Sequence, residues 1–262
     1  MSFEQITYET KDRIALITLN RPDRLNAWTH RMSREISEAV GRANDDGEVG
    51  CIVMTGAGRG FCAGADVRDQ FQARLDERDQ GGESEWLDDG WISIARKSKP
   101  LVAAVNGVAV GVGVTMILPF DVIIASDRAR FGMFFVKMAL VPELASSYFL
   151  VQRVGFGQAS EMCLTARMYE AEEAGRVGLV NRVVPHEKLL DEAMATAELI
   201  AANPGPQLRW IKDLLMRNGS NADHREVMRL ENQYLEKAIK SPEHREAVDA
   251  FLEKRAPNFS RT

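Results

Sequence analysis

Apolar positions recur along this chain with two periods. Residues 13–20, RIALITLN, alternate and are rich in Ile and Leu, which predicts a strand. Residues 29–40, THRMSREISEAV, place Met32, Ile36, Ala39 and Val40 at helical spacing, with Thr29 positioned as the N-cap. CIVMTG, PLVAAVNG and DVIIAS are short apolar runs that read as buried strands. Strands separated by helical patterns predict crossover connections and a largely parallel sheet, an α/β fold. From about residue 185 the strand pattern stops. EKLLDEAMATAELIAAN then carries Leu190, Ala193, Ala197 and Ile200 on one face. Val227, Leu230, Tyr234 and Ala238 repeat that spacing, as do Ala247, Val248 and Phe251. The expected organisation is a core over 1–195 followed by an all-helical region over 196–262. Such a region cannot form a core by itself, so it must pack on the body or on another copy, and self-association is expected.

One stretch complicates this picture. Residues 101–120, LVAAVNGVAVGVGVTMILPF, contain no charge and are long enough to span a bilayer. The 262-residue chain is 27% charged and 45% hydrophobic, an ordinary globular composition that can bury such a run as core. Gly113 and Pro119 also oppose one unbroken helix. The stretch therefore reads as strand, tight turn and a short helix near 114–118. The segment RLDERDQGGESEWLDDG, by contrast, is polar and acidic, and reads as a mobile surface insertion of the kind that covers a site.

Charge and cysteine usage narrow the function classes. The net charge is −5 with Lys and Arg scattered, which gives nucleic acid or an anionic membrane no footprint. Cys51, Cys62 and Cys163 are odd in number and widely spaced, so free thiols in a reducing compartment are expected and structural zinc is not. With no targeting signal at either end, the expected location is cytoplasmic.

Three stretches could carry chemistry. TGAGRGFCAGAD follows a strand, and its glycines allow exposed backbone N–H groups to meet an anion or a developing oxyanion. It is neither a GxGxxG nor a P-loop pattern, and a Gly-rich turn without a ligand is the competing reading. NGVAVGVG supplies a second turn of this kind leading into a helix start, where tight strand–helix packing is the alternative. In FFVKMALVPELASSYFLVQRVG, Glu143 stands among apolar residues. It could be an exposed first-turn residue with Pro142 opening the helix, or a desolvated general base. The remaining candidates favour structural roles: His30, His186, His224 and His244 in polar segments, Ser146 and Ser147 without a His partner, and Asp66 as a helix cap.

Taken together, LNRPDRLNAW, GRGFCAGADV, KPLVAAVNGVAVGVG, FDVIIASDRARF and GLVNRVVP resemble the crotonase (enoyl-CoA hydratase/isomerase) family in order and spacing over nearly the whole chain. The resemblance implies a spiral of ββα turns, a C-terminal helical trimerisation region, a CoA-thioester substrate, and a homotrimer or a hexamer made of two trimers. It implies no metal and no redox cofactor, and oxyanion donors at the N–H groups of Ala65 and Val112. It further implies adenine contacts around Ala63, Ala65, Asp66 and Val67, and CoA phosphate partners at Arg24 and Lys254–Arg255. Hydratases of this family use two glutamates, and those positions here are Thr115 and Phe135. Glu143 instead resembles the lone Glu or Asp of enoyl-CoA isomerases and ring-epoxide isomerases. The implied reaction is double-bond migration from a 3-enoyl-CoA to a 2-enoyl-CoA. The alternatives are another crotonase reaction, such as hydration or hydrolysis, through Thr115 or Tyr148, and an acyl-CoA binder without activity.

Overall fold

The computed structural model describes residues 3–66 and 90–259. The chain opens with a hairpin of β1 (Ile6–Lys11) and β2 (Ile14–Leu19). Asp12 and Arg13 between them both take positive φ, the backbone twist that suits a two-residue hairpin turn. From β2 onward the sheet is parallel. Strands β3 (Cys51–Gly56), β5 (Leu101–Val105), β7 (Val122–Ser126) and β10 (Arg182–Val184) complete the order β1-β2-β3-β5-β7-β10. A second sheet is built from β4 (Gly60–Cys62), β6 (Val108–Val110), β8 (Arg130–Gly132) and β9 (Met168–Glu170), in that order. Consecutive strand pairs β3/β4, β5/β6 and β7/β8 each give one strand to each sheet. This is the spiral of ββα turns that the sequence led us to expect.

The inner strands β3, β5 and β7 of the large sheet are buried on both faces, which explains why they read as continuous apolar runs rather than alternating ones. Ala15, Ile17, Ile52, Met54, Ala103 and Val105 point to the main core, where helix α1 (His30–Asp45) adds Met32, Ile36, Ala39, Val40 and Ala43. Thr29 caps α1 by accepting from the Met32 N–H, a contact worth about 1 kcal/mol.

Between β4 and β5 the described chain holds helix α2 (Gly90–Lys97), and β6 leads into a one-turn helix, α3 (Val112–Thr115). That helix starts two residues before the expected 114–118, because Gly111, at φ 53°, turns the chain early. Beyond it come α4 (Ser146–Thr165) and α5 (Ala171–Arg176). Gly155 breaks the helical path inside α4, with φ 75° and ψ 163°.

Helix α6 (Leu189–Ala201) packs on the other face of the large sheet. Its buried residues are Leu189, Ala193, Ala197 and Ala201, not Leu190 and Ile200. A four-residue stride of small side chains brings the helix close to the sheet: a Cβ on Gly50 would lie 2.8 Å from the Cβ of Ala201. Leu190 is left 43% exposed. Residue 195 falls within this continuous helix, and the helices beyond it are α7 (Gly205–Asn218), α8 (His224–Ile239) and α9 (Pro242–Glu253). Asp223 and Ser241 cap the last two. Lys212 of α7 is buried and donates to Asp121 Oδ2 at 2.8 Å, tying this region to the body. The outer faces of these helices stay apolar and open, with Leu215 70% and Phe251 82% exposed. Among the described residues no helix is long and apolar enough to cross a membrane.

Candidate active site

The two glycine-rich turns of the sequence meet. A Cβ on Gly113 would lie 2.2 Å from the carbonyl oxygen of Cys62, and one on Gly64 would lie 3.3 Å from that of Val110. Only glycine permits the approach at Gly113, and at Gly64 it is φ 101° that calls for glycine. Two buried asparagines hold the first turn from below. Asn26 Nδ2 donates to the carbonyls of Ala57 and Gly60, and Asn106 Nδ2 donates to Gly58 at 2.9 Å.

The orientation of Ala65 follows from its bridge to Trp28. Trp28 N–H donates to Gly64 O, and Asp66 N–H donates to Trp28 O, both at 2.8 Å. In a parallel bridge of this form, the N–H and C=O of the middle residue, Ala65, face away from the partner strand. Val112 is the first residue of α3, so its N–H has no acceptor one turn earlier in that helix. Among the described residues neither amide has a backbone acceptor, and they sit on the two turns that meet. Asp66 does not act alone: its Oδ2 accepts from Arg21 Nη2 at 3.0 Å.

Glu143 reaches the same short helix. Thr115, the last residue of α3, is fully buried, and its hydroxyl donates to Glu143 Oε1 at 2.5 Å. Glu143 lies on a loop after a 3-10 turn, Phe134–Met138, and precedes α4 by three residues. Of the two readings of Glu143, the one in which Pro142 opens the helix is therefore excluded. Leu144 and Ala145 both adopt left-handed φ, 54° and 52°, and redirect the chain before Ser146 starts α4. Arg153 anchors that helix by donating to the carbonyls of Leu118, at 2.8 Å, and Phe120. Burial pushes the Glu143 pKa above the ordinary carboxylate range, and the Thr115 hydrogen bond opposes that rise. Phe135 stands over the turn, since a Cβ on Gly111 would lie 3.9 Å from its Cζ.

The other sequence candidates fall on separate elements, and Ala63, bonded to Leu25, lies next to the turn that ends at Arg24. Arg24 is exposed at the end of a 3-10 turn, and Ala63 is half-buried with its N–H bound to Leu25 O. Lys254 is exposed at the C-cap of α9, while Arg255 is paired with Glu246 and Glu253. Val67 and the greater part of the acidic insertion lie outside the described residues. Tyr148 is 38% exposed. Among the described residues no cluster of three His, Cys, Asp or Glu side chains could hold a metal ion. The sequence reading missed Asn26, Asn106, Arg21 and Arg153. Asn26 and Asn106 carried a signal, since each is a polar residue beside an apolar run or a glycine turn.

The model of the enoyl-CoA hydratase/isomerase family matches residues 9–262. The chain belongs to that family. Similarity to members of the enoyl-CoA hydratase/isomerase family extends over full lengths. A Rhizobium meliloti protein named "probable enoyl-CoA hydratase" is 37% identical over 99% of both chains. The 1,2-epoxyphenylacetyl-CoA isomerase of Escherichia coli is 34% identical over 98% of both. Among solved structures, an enoyl-CoA hydratase/isomerase from Cupriavidus metallidurans superposes with a TM-score of 0.88, at 29% identity, covering 99% of this chain and 97% of that one.

Proposed function

We propose that this protein binds acyl-CoA thioesters and moves the double bond of a 3-enoyl-CoA to give a 2-enoyl-CoA. The observation that carries this reading is the carboxylate of Glu143, hydrogen-bonded to the helix that opens with the Val112 amide. Ionised Glu143 takes a proton from the carbon alpha to the thioester carbonyl. The electron pair moves onto the carbonyl oxygen, forming a dienolate. The N–H groups of Ala65 and Val112 hold that oxygen, and losing one such donor costs about 2.7–4 kcal/mol of barrier. Glu143 then protonates the gamma carbon, its carried proton exchanging with solvent while it is held, so one acid is enough and no metal or redox cofactor enters. In this reading Ala63, Ala65, Asp66 and Val67 take the adenine end of CoA, and Arg24 and Lys254 its phosphates. The open apolar faces of α7 to α9 support assembly into a homotrimer, or a hexamer of two trimers, as the complete enzyme.

Hydration of a 2-enoyl-CoA is the second reading, favoured by the names of several relatives. Against it stand Thr115 and Phe135 at the two positions where hydratases of this family carry glutamates. A phenyl ring beside Gly111 neither orients nor activates water. Incubation with a 3-enoyl-CoA in heavy water tests the proposal. Isomerisation with deuterium entering the alpha carbon is expected, and no turnover and no exchange across a panel of acyl chains would sink it. Loss of the conjugated thioester absorbance of a 2-enoyl-CoA would instead report hydration.

A further inference from the structure

The contact between Thr115 and Glu143 has a use beyond burial, and that use rests on Glu143 being the proton carrier proposed above. The geometry points to Thr115 as a positioning residue: its hydroxyl holds Oε1 of Glu143, fixing the carboxylate beside the Val112 amide and leaving Oε2 to exchange the proton.

Three observations support this. First, Thr115 is fully buried and sits on a helix that has no room to shift. Gly113 lies against Cys62, and the Trp91 indole donates to Met116 O at 2.9 Å just beyond. Second, no other donor among the described residues reaches the Glu143 carboxylate, so this one contact selects which oxygen is engaged. Third, Val112 and Thr115 are the two ends of one helical turn. The oxyanion donor and the base's partner therefore move as one piece, which keeps their separation constant through the proton transfer.

The hydrogen bond also favours the ionised base. Among the described residues no charged side chain acts on Glu143; burial raises its pKa and the Thr115 hydroxyl lowers it. Removing the hydroxyl leaves burial unopposed.

The test compares Thr115→Val, Thr115→Ser and Glu143→Gln by the pH dependence of alpha-carbon deuterium exchange on a 3-enoyl-CoA. Thr115→Val keeps the shape without the donor, and its acid limb moves up by about one to two pH units, as expected for loss of a hydrogen bond to a charged group. Thr115→Ser restores the donor and returns the limb to the wild-type position. Thr115→Ala makes the same comparison if the valine variant does not fold. An acid limb unchanged in Thr115→Val, or shifted equally in Thr115→Ser, overturns the positioning role. Full exchange in Glu143→Gln overturns the base assignment itself, and so distinguishes the two failures.

Discussion

Gly113 rests against the Cys62 carbonyl with no space for a side chain: a Cβ would come within 2.2 Å of that oxygen. The packing of this one hydrogen-sized gap joins the two turns of the candidate site. Because the obstacle is backbone rather than a movable side chain, the two turns must separate if the gap is filled.

Gly113→Ala is accordingly expected to destabilise the chain by about 1–3 kcal/mol and to weaken exchange activity with it. Gly41→Ala is the control. Gly41 lies inside α1 with nothing within 4 Å of its would-be Cβ, and the change there should stabilise by about 0.5–1 kcal/mol. Urea unfolding of both variants checks the contrast, and equal effects would contradict it.

Replacing Glu143 by Gln removes the proton carrier but preserves shape. Exchange at the alpha carbon is expected to fall by about 10²–10⁴-fold while acyl-CoA binding, followed by calorimetry, persists. Loss of both together would mean that Glu143 serves the fold or the binding of CoA instead.

The same variant carries a signature in stability. Burial raises the Glu143 pKa in the folded chain above its unfolded value, so between the two values the folded state holds the extra proton. Stability therefore falls as pH rises across that window, from the ordinary carboxylate range up to the raised value. Glu143→Gln escapes this cost. Its Tm should exceed that of the wild type at neutral pH, with the difference disappearing in acid. Scanning calorimetry at a series of pH values measures it, and a gap that widens in acid would contradict the buried-acid account.

Asp121 accepts both from Leu101 N–H, at 2.7 Å, and from buried Lys212, at 2.8 Å. Asp121→Asn leaves the Lys212 ammonium buried without its counter-charge, at an expected cost of about 3 kcal/mol. Limited proteolysis should then cut first around α7, where this tie holds the helix to the body. Wild-type resistance in that region would show that apolar contacts alone secure it.

What the sequence could show depended on how local each signal was. The strands and the Thr29 cap are written in neighbouring residues, and they appear where expected. The face of α6 was misjudged by one residue because Leu189 and Leu190 are adjacent and equally apolar, and only the sheet decides which is covered. Glu143 was legible as an unusual acid in an apolar run. Its turn was not, because left-handed backbone at Leu144 and Ala145 has no glycine or asparagine to announce it. The Thr115 contact spans 28 residues and exists only once both elements are folded, so periodicity cannot reveal it.

The two left-handed residues after Glu143 have a thermodynamic corollary. Leu and Ala resist that conformation by about 1–2 kcal/mol each, so the corner they form is stiff where glycines would have left a swivel. The carboxylate thus surrenders its freedom when the chain folds rather than when a guest molecule arrives, and little disorder is left for the encounter to remove.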